Sequence, residues 1–305
     1  MTHSMKSDGT VPTIVLVHGA FANSFTFAPL SAELALRGVL SAAVDLPGHG
    51  FEATFPIGYQ APQDHENMSS APGHLRDVTL ADNVEHLANM LARAKEQGPV
   101  IALAHSRGGI TLTATANAHP ELIDHMVYVS AWAPVVLESA EYNAEPEMAE
   151  VDMASLATGM VGDPQELGLL RCNFRSRDTN LLEGMQSLFC ADASPDEFRT
   201  FLNSFQPDEN LDIGDASDRA QADTWGIIDR TYIRLSEDRS LPLRMQDRLI
   251  RDGDDLTPDN PYRVRTLASS HLGWLIHPAE AAEQLASIAA EVAERAEGAT
   301  LVELS

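Results

Sequence analysis

Apolar residues in this chain follow two alternating rhythms. Short unbroken runs rich in Val, Ile and Leu, each stopped by Gly, Pro or a polar cluster, alternate with longer stretches that place an apolar residue every three or four positions. The first rhythm suits strands buried on both faces of a sheet, and the second suits helices laid over it. TIVLV, Thr13–Val17, is the first such run, and a helical pattern follows over 28–37. Residues 40–45 form a second strand, ended by the turn sequence LPGHG. An amphipathic helix is expected over 80–97, with Val84, Leu87, Leu91 and Ala94 on one face and Gly98-Pro99 as its stop. Further strands are expected over 100–104, 126–130, 231–235 and 263–267, and further helices over 109–118, 243–251 and 278–296, with a fraying tail over 298–305.

Strands and helices taking turns predict an α/β fold: a mostly parallel sheet with helices on both faces. Two stretches break the alternation. Residues 51–78 carry prolines, glycines and polar residues without a period and read as a long loop at a pocket rim. Residues 134–228 become helical and acidic and read as a helical cap inserted into the fold. The expected organisation is therefore a core over 1–133, a cap over 134–228 and the rest of the core over 229–305.

Charge narrows the partners. With 45 acidic against 20 basic side chains the formal net charge is −25, which repels phosphate backbones and anionic lipid headgroups. Nucleic acid and membrane surfaces are excluded as expected partners; a homodimer stays open. No run approaches the length of a membrane span, and MTHSMKSDGTVP lacks the layout of a signal peptide. A cytoplasmic location is expected. Cys172 and Cys190 are too few for a disulfide framework and read as reduced thiols. Asp252, Asp254 and Asp255 sit in an acidic stretch whose glycine has the wrong offset for a calcium loop, so no metal is expected.

The candidate chemistry gathers in three short segments. IALAHSRGG runs a buried strand into Ser106 and then, with Gly108 two residues on, into a helix. A serine lifted out of a sheet on such a turn is a nucleophile elbow, with Ala104 standing where glycine is more usual. The backbone N–H of Arg107, at the helix start, and that of Ala20, in the loop HGAF after the first strand, are the expected oxyanion donors. A serine needs a base oriented by an acid, here in the chain order serine, acid, histidine. Asp238 follows the strand ending at Leu235, and His271 follows the strand ending at Leu267. Ligand chemistry in parallel sheets collects at those carboxyl ends. Asp238 is chosen over Glu237 and over Asp247, Asp252, Asp254 and Asp255, which fall in or beyond the next helix. His271 is chosen over His277, while His18, His49 and His105 read as hydrogen-bonded turn and core residues. Met148, Met153, Met160, Met185, Phe189, Phe198, Phe201 and Trp225 supply apolar bulk to the cap, as pocket lining or as its own core. A salt bridge to the acidic cap is expected of the Arg107 side chain.

LVHGAFANSF, DLPGHG, AHSRGG, YIRLSEDRSLP and SSHLGWLIHPAE together resemble the α/β-hydrolase superfamily. Within it, the HSRGG elbow and the DRSLP turn are similar to bacterial carboxylesterases related to plant methylesterases and hydroxynitrile lyases. That resemblance covers nearly the whole chain and implies a six-stranded sheet, a helical cap and cofactor-free ester chemistry. It assigns the nucleophile to Ser106, the acid to Asp238, the base to His271 and the oxyanion donors to the Ala20 and Arg107 N–H groups. A lyase of this kind carries lysine after the histidine, where this chain has Leu272, so a small-molecule ester or lactone is the expected substrate. Receptor-like binding, and lyase or acyl-transfer chemistry on the same residues, are the alternatives.

Overall fold

The computed structural model describes residues 11–303. Most of the opening segment examined for a signal peptide, and the last two residues of the tail, lie outside the described residues. The strands are β1 (Thr13–Val17), β2 (Leu40–Val44), β3 (Val100–Ser106), β4 (His125–Ala131), β5 (Leu169–Arg171), β6 (Asp208–Asn210), β7 (Arg230–Leu235) and β8 (Arg263–Leu267). All except β5 and β6 join one parallel sheet in the order β2-β1-β3-β4-β7-β8. β3 and β4 lie at its centre and are buried along nearly their whole length. Their unbroken apolar runs are what a strand covered on both faces requires.

The helices are α1 (Ala28–Leu36), α2 (His65–Ser70), α3 (Leu80–Lys95), α4 (Gly108–Ala118), α5 (Ser139–Tyr142), α6 (Pro164–Leu167), α7 (Thr179–Phe189), α8 (Pro195–Phe201), α9 (Leu243–Leu256), α10 (Gly273–Ile276) and α11 (Ala279–Glu303). Leu30 and Leu34 of α1 and Leu285 and Ile288 of α11 pack with Ile14, Leu16, Ile101 and Leu103 on one face of the sheet. Leu87 and Leu91 of α3, Leu112 of α4 and Ile250 of α9 pack with Val15, Val17, Ala102 and Tyr128 on the other. Each such aliphatic side chain contributes about 1.5–3 kcal/mol by leaving water. α3 starts where its sequence says it should: Thr79 and Asp82 close a capping box, and Arg93 and Lys95 complement the dipole in the last turn.

Several boundaries differ from expectation. Residues 51–78 are not a structureless rim. Short 3-10 turns and α2 punctuate the segment, three of them sinking the anchors Tyr59, Met68 and Leu75, and none of its residues lines the large cavity described below. It packs instead against the β5–β6 strand pair, where Leu75 meets Leu167 and Leu169 and the buried Arg171 guanidinium donates to Met68 O and Ala71 O. Between β4 and β7 the chain is not all helical, since β5 and β6 pair antiparallel. α9 runs on to Leu256, past its expected end at 251, and takes in Asp252, Asp254 and Asp255 of the acidic stretch. Asp252 accepts from Tyr142 and Arg248, and Asp254 accepts from the Tyr262 N–H. α11 likewise continues to Glu303, past the expected fray point.

Candidate active site

β3 ends at Ser106 in a left-handed backbone, φ 54°, and α4 begins two residues later. A turn this tight leaves no room for side chains around it. A Cβ on Gly108 would stand 2.4 Å from His18 O, and one on Gly19 would stand 2.8 Å from Ser106 Cβ. The loop after β1 therefore runs in direct contact with the serine.

Ser106 Oγ lies 3.0 Å from His271 Nε2, and His271 Nδ1 lies 2.5 Å from Asp238 Oδ2. Ser106 donates to Nε2 while Nδ1–H donates to the carboxylate, which fixes the imidazole as the tautomer able to accept the serine proton. Asp238 is held from every side. Ser130 Oγ donates to Oδ2 at 2.6 Å, and the Ser240 and Leu241 N–H groups donate to Oδ1 at 2.7 and 2.8 Å. Glu237, its neighbour, is exposed, as its side of the turn faces solvent. His105 lies against His271 with the rings tilted by 41° and their centroids 4.5 Å apart, and it donates from Nε2 to His271 O. Burial, helped by the neighbouring His271, holds the His105 imidazole well below its usual range, so it stays neutral beside His271.

The loop carrying Ala20 is a turn closed by the Ala22 N–H on Gly19 O, with Phe21 at its third position in the left-handed region, φ 58°. A residue with a Cβ held there stores about 1–3 kcal/mol. Gly19, Ala20 and Phe21 line the same cavity as Ser106 and His271. The Arg107 side chain points away from that cavity. It donates to Asn210 Oδ1 and Asp212 O and lies 3.9 Å from the buried Glu209 carboxylate, so its partners are on the segment between β4 and β7 but not at the surface. Asp192, from the same segment, accepts from the Ser269 and Ser270 hydroxyls and the Ser270 N–H, and Leu272 N–H donates to Phe189 O. The loop bearing His271 is thereby pinned from above.

The cavity over Ser106 holds about 770 Å³. Met148, Met153, Met160, Met185, Phe189 and Phe198 line it; no Asp, Glu, Lys or Arg does. Phe201 and Trp225 do not belong to it. Trp225 is on the other face of the sheet, under the Arg230 guanidinium and with its indole N–H on Tyr128 Oη, because a buried indole must find an acceptor. Phe201 packs on Phe205. Cys172 and Cys190 are free, and burial pushes both thiols up to about 12.

The structure brings Ser106, His271 and Asp238 into one hydrogen-bonded line and sets the Ala20 loop against it. Sequence reasoning missed Ser130, Asp192 and Glu209. Ser130 enters the sequence reading only as the last residue of an expected strand, and neither acid carries a signal of the donors gathered around it.

The sequence model of the alpha/beta hydrolase family matches residues 14–285. Curated relatives include a pyrethroid hydrolase from Sphingobium wenxiniae, 26% identical over 301 residues covering 95% of this chain and 92% of that protein. Polyneuridine aldehyde esterase from Rauvolfia serpentina is 25% identical over 295 residues, covering 94% and 98%. Among solved structures, a variant of a pyrethroid hydrolase superposes with a TM-score of 0.69 at 23% identity, over 93% of this chain and 99% of that one. The crystal structure of polyneuridine aldehyde esterase gives 0.66 at 21%, over 91% and 99%. With the parallel sheet, the elbow and a family match across most of its length, the chain belongs to the alpha/beta hydrolase family.

Proposed function

We propose that this protein hydrolyses a neutral, bulky, apolar carboxylic ester or lactone through an acyl-enzyme on Ser106. The observation that carries the reading is the line of hydrogen bonds from Asp238 through His271 to Ser106, opening into a cavity with no charged wall. His271 takes the serine proton as Oγ attacks the carbonyl carbon, and the Ala20 and Arg107 N–H groups receive the oxyanion. The imidazolium then protonates the leaving alcohol. Water, activated by the same histidine, releases the acid and restores the serine. Asp238 keeps the imidazole in its working tautomer throughout. Relatives named as esterases or hydrolases that span nine-tenths or more of the chain support ester chemistry.

The walls set the substrate class. A carboxylate in this cavity would lose its hydration with no cation to meet it, so charged acyl or alcohol parts are disfavoured. The unbranched methionines repack around different apolar shapes, and the segment over 134–228, acting as a cap, closes them over the substrate. The test compares neutral p-nitrophenyl esters of increasing acyl length with carboxylate-bearing analogues. Medium and long neutral esters are expected to be turned over best, and Ser106→Ala is expected to lose at least about 10³-fold in kcat together with fluorophosphonate labelling. An alanine variant that still labels, or a preference for the charged esters, refutes the reading.

A further inference from the structure

Both polar groups of one peptide-backbone residue beside the nucleophile are held by the segment between β4 and β7. Phe21 N–H donates to Glu209 Oε2 at 2.8 Å, and Phe21 O accepts from Gln206 N–H at 3.0 Å. Phe21 is the residue at φ 58°, whose turn presents Ala20 to Ser106. Such a backbone persists only where its surroundings over-determine it. Glu209 is 3% exposed, and each of its oxygens has two partners. Oε2 takes Phe21 N–H and faces His49 Nε2 at 3.4 Å; Oε1 takes its own neighbour Asn210 N–H at 2.9 Å and faces Arg107 Nε at 3.9 Å. His49 presents both ring nitrogens to oxygens, the second to Pro47 O, and so binds as a cation. One carboxylate thus touches the loop that carries Ala20 and the side chain of Arg107, the two residues whose N–H groups form the oxyanion site in the reading above.

We propose that Glu209 is a positioning residue for the oxyanion hole, holding the Ala20–Phe21 turn in its strained form and anchoring Arg107 beneath the elbow. The inference rests on the assignment of the Ala20 and Arg107 N–H groups as oxyanion donors. All the groups around Glu209 are donors. An isosteric glutamine must therefore turn an NH₂ group against a donor whichever way its amide lies, and one arm of the oxyanion site loosens in either orientation.

The experiment uses the purified full chain and Glu209→Gln. It reads kcat and KM for a neutral ester, the affinity of a trifluoromethyl ketone that forms an oxyanion adduct on Ser106, and the affinity of the matching secondary alcohol, which forms none. The expected result is a parallel fall of about tenfold or more in kcat and ketone affinity, with KM and alcohol affinity within about threefold of the parent. Glu209→Asp, which keeps the charge and withdraws it by one methylene, is expected to fall in the same parallel way and serves if the glutamine variant does not fold. Unchanged kcat in a folded variant overturns the proposal, as does an equal loss of affinity for both inhibitors. Failure of both variants to fold makes Glu209 a purely structural residue and overturns it as well. Ser106→Ala is measured beside them: residual turnover there refutes the esterase reading itself, whereas an inert Ser106→Ala with a fully active Glu209→Gln removes only the positioning role.

Discussion

Glu237 and Asp238 are adjacent acids in opposite surroundings, one in solvent and the other saturated by Ser130, Ser240, Leu241 and His271. Asp238→Asn replaces an acceptor with a donor at the His271 contact and turns the imidazole so that its N–H faces Ser106. A loss of roughly 10³–10⁴ in kcat is expected with the fold retained, while Glu237→Gln should stay within about twofold. Steady-state kinetics on the two variants checks this; equal activities would contradict the assignment. Strand ends and chain order made Ser106, Asp238 and His271 legible in the sequence: Ser106 ends an unbroken apolar run, while Asp238 and His271 follow the mixed runs RTYIRL and RVRTL in the expected order serine, acid, histidine. Glu209 and Asp192 were not legible. Their surroundings are assembled from residues such as Phe21, His49 and Ser270, far away along the chain, and an acid ringed by donors has the same letter as one without them.

At the scale of an element, the elbow works because strand, turn and helix meet without side chains between them. A Cβ on Gly108 would press on two backbone carbonyls, His18 O at 2.4 Å and Val17 O at 2.9 Å, and neither can rotate away. Gly108→Ala should destabilise the protein by roughly 1–3 kcal/mol through overpacking and should lower kcat more than KM by shifting Ser106. Urea unfolding alongside kinetics tests it; a variant as stable and active as the parent would show the junction to be looser than described. Periodicity found the core strands and helices because one face, or both, had to be apolar. It failed over 51–78, where the elements are single turns. Most are fixed by single buried anchors such as Tyr59, Met68 and Leu75, and α2 also by the Arg171 bonds to Met68 and Ala71, which no local pattern encodes.

Across the whole molecule, buried histidines govern the response to acid. Burial pushes His18 and His125 down to about 3 and His105 well below its usual range, so the folded state leaves them neutral where the unfolded state protonates them. Between about pH 3 and 6.5 the unfolded chain binds more protons, and stability falls as pH falls through that window. His49 has the opposite sign. Burial opposes its charge, but Glu209 outweighs burial and raises it, so its contribution is complete below the unfolded value and lost as pH rises through the folded one. Glu209 is held low because Arg107 and His49 outweigh its own burial; its contribution stands above about 4.5 and is lost only at still lower pH. Three lowered histidines against one raised predict a thermal midpoint that drops steadily from pH 7 to 4.5. Melting curves at about 0.15 M salt, where the self-repulsion of a net charge of −25 is screened, test it, and a flat profile would contradict it.

If Ser106 and His271 react together as proposed, their separation along the chain has a consequence during synthesis. Ser106 and His271 are 165 positions apart, and Phe21 meets Glu209 across 188. Until the later residues are made, Ser106 has no His271 beside it and the Ala20–Phe21 turn has no Glu209 to accept its N–H. On the function proposed above, a nascent or prematurely terminated chain lacking the last third has no ester-cleaving activity, because His271 is not yet there to meet Ser106.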